Sequence, residues 1–336
     1  VKEILILTDG KAGHENQSRA FARALGLPFR VVPVSFRFRG AKALSYLLDR
    51  AGANPLFPVE LPHPLPSPGE IAAVVGTGSG TFYAAKSLAK KLGVPSGAVL
   101  YPRGYRIGGF GCILAPSFDR PAERPNVIGI PVNLTAADSA FYKEGTEKFL
   151  SRYKPSAKPA AAVILGGPNK AASMTAQWAK ETLSGVFDAT PDCEHWITTS
   201  RRTPPEVEAV VDSFPFDYKL VYSRDRFNPI PAFVSLASRL FVSAESTGML
   251  SEAVTYGSSA VSALDNLGAG RTKFRRFLEG LVKLGAADVF APGAKGGSVK
   301  IDLSPQFSRA AALLGISRNQ VRQGLVAALE RRTERG

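Results

Sequence analysis

The part of this sequence best suited to move a proton is a glycine-bearing turn that leads into a helix. It reads Thr8-Asp9-Gly10-Lys11-Ala12-Gly13-His14-Glu15-Asn16-Gln17-Ser18 and follows an apolar run. Gly10 and Gly13 permit a tight turn and close approach of backbone to a ligand. A helix start also offers unpaired N–H groups to an oxygen-rich ligand. Glu15 is the first candidate for a general base, because a carboxylate can both accept a proton and face developing positive charge. His14 is the second candidate and Asp9 the third. Lys11 and Gln17 add polar groups beside them. An ordinary strand–helix turn, with Glu15 placed favourably on the helix dipole, would have the same composition.

Four further loops carry groups of the right kind. Gly76-Thr77-Gly78-Ser79-Gly80-Thr81 has G-x-G-x-G spacing, not the dinucleotide G-x-G-x-x-G, and no acidic residue follows at the ribose distance. It can cradle a phosphate or sugar, or be a flexible turn. Gly166-Gly167-Pro168-Asn169 is a second glycine turn. Ser200-Arg201-Arg202-Thr203-Pro204 sets adjacent arginines where phosphate oxygens could be held, though a solvated pair reads the same. In Glu245-Ser246-Thr247-Gly248-Met249-Leu250-Ser251-Glu252 a strand feeds a hydroxyl-rich helix start. Ser246, Thr247 and the helix N–H groups suit a diphosphate, and Glu252 suits the two hydroxyls of a ribose. Simple helix capping accounts for this segment equally well. Lys273, Arg275 and Arg276 either reach the ligand or are solvated, while Phe274 and Phe277 have the spacing of a core face.

These loops all sit between short apolar runs and helix-period segments, the pattern of parallel βαβ units. Strands are predicted near 3–8, 29–35, 71–76, 97–101 and 111–115, then 160–165, 194–199, 218–222, 239–243 and 259–263. Helices are predicted near 16–26, 40–51, 80–92 and 138–152, then 171–185, 204–213, 230–237, 247–256 and 271–284. Lys154-Pro155-Ser156-Ala157-Lys158-Pro159 is the linker candidate. The expectation is an α/β protein of two doubly wound, Rossmann-like domains, 1–155 and 156–336, facing a cleft. Ligands in such sheets bind beyond the carboxyl ends of the strands.

The 336 residues include two cysteines, Cys112 and Cys193, which excludes a disulfide framework and fits a reducing cytoplasm. No apolar run is long enough for a membrane span, and no signal peptide is read at the N-terminus. The three histidines form no cluster with cysteine, and no Asp-x-Asp motif is present, so no metal is expected. The net charge of +14 favours polyanionic partners. Ser35-Phe36-Arg37-Phe38-Arg39-Gly40-Ala41-Lys42 interleaves aromatic and basic residues, the chemistry of contact with an anionic membrane surface or of a solvated basic turn.

Taken in order, the loops resemble the bacterial branch of the Elm-type mitochondrial fission proteins, treated as GT-B glycosyltransferases. The opening signature is Asp9 to Ser18. Pro102-Arg103, Leu114-Ala115-Pro116-Ser117-Phe118-Asp119 and Asn126-Val127-Ile128 are similar to a middle block. Gly166-Gly167, Ser200 to Pro204, Asn228-Pro229 and Ser246 to Ala253 follow in the second half. Glu245 stands where an Asp is expected, and Ile230 replaces an aromatic. Residues 286–336 match little.

The resemblance implies a GT-B-like fold with an acceptor-side first domain and a nucleotide-sugar (donor) second domain, the last helices crossing back. It implies sugar transfer to a hydroxyl, with no cofactor beyond the nucleotide-sugar substrate. The acceptor is expected to be a cell-envelope glycan or lipid, and the location the cytoplasm, peripheral to the inner membrane. Acceptor contacts are expected from Gly10, Lys11, Gly13, Gln17, Gly76, Thr77, Gly78, Arg103 and Asp119. Donor contacts are expected from Gly166, Gly167, Ser200, Arg201, Arg202, Asn228, Glu245 to Met249, Ser251, Glu252 and Lys273. A sugar-nucleotide epimerase or hydrolase and a non-catalytic membrane adaptor are the rival readings. The segment from Ser308 to Leu325 also resembles a DNA-binding helix-turn-helix.

Overall fold

In the computed structural model, which describes residues 2–62, 64–135 and 138–317, the apolar runs become two all-parallel six-stranded sheets. The chain divides into two compact units. Of the described residues, one comprises 2–135 and 303–317, the other 138–302.

The first unit runs β1 (Glu3–Thr8), α1 (Ala12–Ala24), β2 (Phe29–Pro33), β3 (Ser35–Phe36), α2 (Ala41–Arg50), β4 (Val59–Glu60), β5 (Ile71–Thr77), α3 (Phe82–Leu92), β6 (Ser96–Val99), β7 (Cys112–Pro116) and β8 (Val127–Ile130). Its sheet has the order β2-β1-β5-β6-β7-β8, and β3 and β4 form a separate antiparallel pair. Every residue of β5 is buried, as expected of a parallel strand covered on both faces. Helix α3 ends at Gly93 in the left-handed conformation that favours glycine. Beneath α2, Asp49 is buried against Lys86 and also accepts the Arg106 N–H at 2.6 Å.

The second unit runs α4 (Ser139–Arg152), β9 (Ala160–Ile164), α5 (Ala176–Ala189), β10 (Glu194–Thr198), α6 (Pro205–Ser213), β11 (Tyr218–Leu220), α7 (Ile230–Leu236), β12 (Arg239–Ser243), α8 (Thr247–Thr255), β13 (Ala260–Leu264), α9 (Lys273–Lys283) and β14 (Asp288–Val289). The sheet order is β11-β10-β9-β12-β13-β14. The division falls ahead of α4 and not at residue 155, because α4 packs into this unit's aromatic core. Phe149 is fully buried, with ring centroids 5.3 Å from Trp196, 4.8 Å from Tyr218 and 5.9 Å from Phe233. The expected linker lies inside the unit, pinned by the buried Glu194. That carboxylate accepts Ser156 N–H at 2.6 Å, Trp196 Nε1–H at 2.7 Å and the Tyr153 hydroxyl.

Helix α10 (Ser304–Leu313) follows Leu303 into the first unit and packs against β7 and β8. Ala310 is fully buried there, and Arg309 donates to the Pro125 carbonyl at 2.9 Å. This helix and the turn at Gly315 are the first part of the helix-turn-helix-like segment; its second part lies outside the described residues. Among the described residues no helix is long and apolar enough to cross a membrane.

Both sheets reverse their strand order once, between β1 and β5 in the first and between β9 and β12 in the second. Such a switch point opens a crevice at the carboxyl ends of the two strands. Loops 8–11 and 76–81 therefore lie side by side, as do loops 165–168 and 244–246.

Candidate functional site

At the first switch point, Gly10 (φ +79°) turns the chain, and Lys11 in extended conformation starts α1 four residues earlier than its apolar period suggests. Gly13, His14 and Glu15 thus lie in the first helical turn and not in a loop. Adjacent residues on a helix point about 100° apart, so His14 and Glu15 face different neighbours. His14 Nδ1 lies 3.2 Å from Asp9 Oδ1, and Lys11 Nζ is 3.0 Å from Asp9 Oδ2. One turn on, Ser18 is buried and its hydroxyl meets that of Thr77 at 2.6 Å. Glu15 instead pairs with Arg19, at 2.7 Å from Nη2 and 2.8 Å from Nε.

The β5 loop fits against this arrangement because it has no side chains in the way. A Cβ at Gly78 would come within 2.3 Å of His14 Cε1, and one at Gly80 within 2.7 Å of Asp9 Oδ2. Lys42 reaches the same loop, donating to Ser79 Oγ at 2.9 Å. Burial acts to raise the Asp9 pKa, but the hydrogen bonds with Lys11 and His14 outweigh it, and the net shift is down. The Arg19 hydrogen bond dominates at Glu15 and likewise holds its carboxyl below the ordinary 4.5. Gln17 is half-buried on α1. Arg103 donates to the Asp119 carbonyl at 2.5 Å, joining the loops that follow β6 and β7.

The second switch point centres on a carboxylate. The Glu245 side chain is fully buried and 3.8 Å from Arg202 Nη2. Its Oε1 accepts Gly167 N–H at 2.8 Å and the hydroxyls of Ser246 at 3.0 Å and Ser243 at 3.2 Å; its Oε2 accepts Asn266 Nδ2–H at 2.8 Å. The Ser200 and Thr203 hydroxyls donate to the Gly166 carbonyl at 2.7 and 2.6 Å, and Arg202 Nη1 donates to the Gly167 carbonyl at 3.1 Å. Only glycine fits at positions 166 and 167 of the β9 loop. A Cβ at Gly166 would lie 2.0 Å from Glu245 Oε1, and one at Gly167 would lie 2.2 Å from the Arg202 carbonyl. Glu245 thus stands under the β9 and β12 loops as a brace, where the sequence suggested a ligand contact.

The other donor-side candidates are placed unevenly. Thr247, exposed Gly248 and half-buried Met249 begin α8. Ser251 is fully buried and donates to the Thr247 carbonyl at 2.6 Å, so that hydroxyl is engaged inside the helix. Glu252 accepts the Tyr142 hydroxyl at 2.8 Å. Burial raises the Glu252 pKa, and that hydrogen bond opposes it. Arg201 is exposed at the carboxyl end of β10. Asn228 Oδ1 accepts the Ile230 N–H at 3.2 Å in the turn before α7, while Lys273 lies exposed over the Phe274 ring. Arg275 pairs with Asp265 at 2.6 Å. Asn266, two residues past β13, carries no sequence signal, because nothing in its neighbours marks it from any other polar loop residue, while Ser243 ends β12 just ahead of the Glu245 segment. Ser18 and Thr203 stood inside motifs already singled out.

Two doubly wound units, each with polar loops at its switch point, define a GT-B-like α/β protein. The chain belongs to the mitochondrial fission ELM1 family, whose model matches residues 12–313. No curated protein sequence matches it significantly. Among solved structures it is similar to a UDP-GlcNAc 2-epimerase from Methanocaldococcus jannaschii, at 11% identity over 94% of this chain and 100% of the other, with a TM-score of 0.50. The ADP-heptose lipopolysaccharide heptosyltransferase II of Escherichia coli shares 11% identity over 93% and 98%, with a TM-score of 0.44. A UDP-glucosyltransferase from Polygonum tinctorium shares 9% over 98% of each chain, with a TM-score of 0.46. At these identities the likeness is one of fold.

Proposed function

We propose that the protein transfers a sugar from a nucleotide-sugar donor to an acceptor hydroxyl, with His14 as the general base and Asp9 orienting its ring. The observation that carries this reading is the contact of His14 Nδ1 with Asp9 at the switch point. With Nδ1 turned to the carboxylate, Nε2 is the nitrogen left to take the acceptor proton. The freed oxygen attacks the anomeric carbon as the bond to the diphosphate breaks, and the diphosphate departs with the electron pair. Glu15 is the weaker choice because Arg19 already holds its charge. On the second unit, the start of α8 and Arg201 and Arg202 suit the diphosphate, with Lys273 as a further cation. Glu252, steadied by Tyr142, suits the ribose.

The test is calorimetric and thermal-shift screening against UDP, GDP, CMP, ADP and their sugars. A ligand at about a hundred times its Kd raises stability by roughly 2.7 kcal/mol. One nucleotide class should stabilise the protein, and Glu252→Ala should weaken that response. A folded protein that answers to none of them defeats the reading and favours a non-catalytic adaptor.

A second reading is sugar-nucleotide epimerisation, supported by the likeness in fold to the archaeal epimerase. Incubation with the stabilising nucleotide-sugar and no acceptor separates the two. An epimerised sugar-nucleotide supports the second reading, and transfer that waits for an acceptor supports the first.

A further inference from the structure

The aromatic–basic run after β2 has no place in the chemistry above, yet the fold gives it a definite shape. Strands β3 and β4 pair Ser35 with Glu60 and Phe36 with Val59, and the Arg37 N–H continues the ladder to the Pro58 carbonyl at 3.1 Å. One step further, this register sets Phe38 across from Phe57. The two phenylalanines are 47% and 52% exposed. Arg37 and Arg39 flank Phe38 in the chain and are exposed, as are Lys42 and Arg50 on α2. Between residues 36 and 59 the one acidic residue is Asp49, which is buried against Lys86. Glu60 stays at the base of the pair, taking the Ser35 hydroxyl at 3.2 Å.

We propose that this tip is a docking surface for an anionic lipid bilayer, with Phe38 and Phe57 entering the interface and the arginines held at the headgroups. Aromatic rings between cations suit a boundary that is apolar below and negatively charged above. Two half-exposed rings fall well short of the roughly 1,000 Å² of a stable protein interface. A nucleic acid would engage the cations without requiring this paired apolar tip.

The tip also stands beside the first switch point. Val34 N–H donates to the Thr8 carbonyl at 2.9 Å, and Lys42 reaches Ser79 in the β5 loop. Docking therefore brings the loops around Asp9 and His14 to the bilayer surface, where the hydroxyl of a lipid-linked acceptor would lie.

The experiment is co-sedimentation of the full chain with vesicles of phosphatidylcholine and phosphatidylglycerol, against phosphatidylcholine alone. It uses neither donor nor turnover, so it stands or falls apart from the transferase reading. Retention is expected on the mixed vesicles alone and should weaken as salt rises. Each of Arg37→Gln and Arg39→Gln should lower partitioning about fivefold. Phe38→Ser with Phe57→Ser should abolish most retention at an unchanged Tm. Leu284→Ser, an exposed apolar position of the second unit, should change nothing. A Phe38→Trp variant should show a blue-shifted emission on the mixed vesicles. Wild-type retention by the double phenylalanine variant, or no retention on the mixed vesicles, overturns the proposal and leaves the tip to a protein or nucleic acid.

Discussion

His14 and Asp9 meet at 3.2 Å across a five-residue turn, and the imidazole rests where a side chain at residue 78 would otherwise be. One carboxylate, one ring and one glycine, drawn from two strand–helix junctions far apart in sequence, thus form a single unit. Its members should fail together.

If His14 is the base, His14→Gln should lower kcat by about 10²–10⁴ while the fold persists. Asp9→Asn should follow it by a smaller factor, because the ring loses its orienting partner. Glu15→Gln should leave kcat near the parent value. Steady-state kinetics with the donor found by screening decide it: a large loss in Glu15→Gln with an active His14→Gln would return the role to Glu15.

Gly78 and Gly13 make a paired test of backbone against space. Gly78→Ala forces a side chain into the left-handed region, at about 1–2 kcal/mol, and displaces His14. Activity should fall further than stability alone explains. Gly13→Ala meets nothing within 4 Å and lies inside α1, so it should stabilise the protein by up to about 1 kcal/mol. Thermal denaturation and turnover on both variants separate the two effects.

Glu245→Ala should cost several kcal/mol, because it strands the Gly167 N–H and the Asn266 amide, each worth about 1–3 kcal/mol when buried without a partner. Glu245→Gln keeps the volume and should keep the fold while loosening Arg202 and Ser246. Its nucleotide affinity should drop in calorimetry. An unchanged Kd in a folded Glu245→Gln would confine this residue to stability.

Acid should unfold the second unit in two stages. Burial, with the Phe187 ring stacked on the imidazole, lowers the His195 pKa below 6.5 and outweighs Asp217 and the Thr190 hydrogen bond, which act to raise it. The unfolded chain then takes up the proton first, and stability falls as pH drops from about 6.5 toward the folded value. Glu194 follows at lower pH. Burial acts to raise its pKa, but the hydrogen bonds from Ser156, Tyr153 and Trp196 prevail and hold it below 4.5. Its contribution is present above that value and is lost as pH falls through the folded one. Denaturant midpoints measured against pH should show the upper stage vanish in His195→Phe and the lower stage shrink in Glu194→Gln.

The alternation of apolar runs such as Ile4 to Leu7 and Ala161 to Leu165 with helix-period segments sufficed to read two parallel α/β halves. Local spacing also exposed the turns at Gly10, Gly78 and Gly166, because an apolar strand, a glycine and a helix start are properties of neighbours in the chain. Much of the rest depended on distance in space. The register of β5 beside β1 decided that Ser18 meets Thr77 and that Gly78 seats His14. The helical offset in α1 decided that Glu15 turns to Arg19 and not to Asp9. The packing of Phe149 decided that α4 joins the second unit despite the proline linker that follows it. A strand pattern states that a residue is at a carboxyl end; which other end it faces is set by sheet order, and sheet order is chosen by the burial of whole helices and strands together.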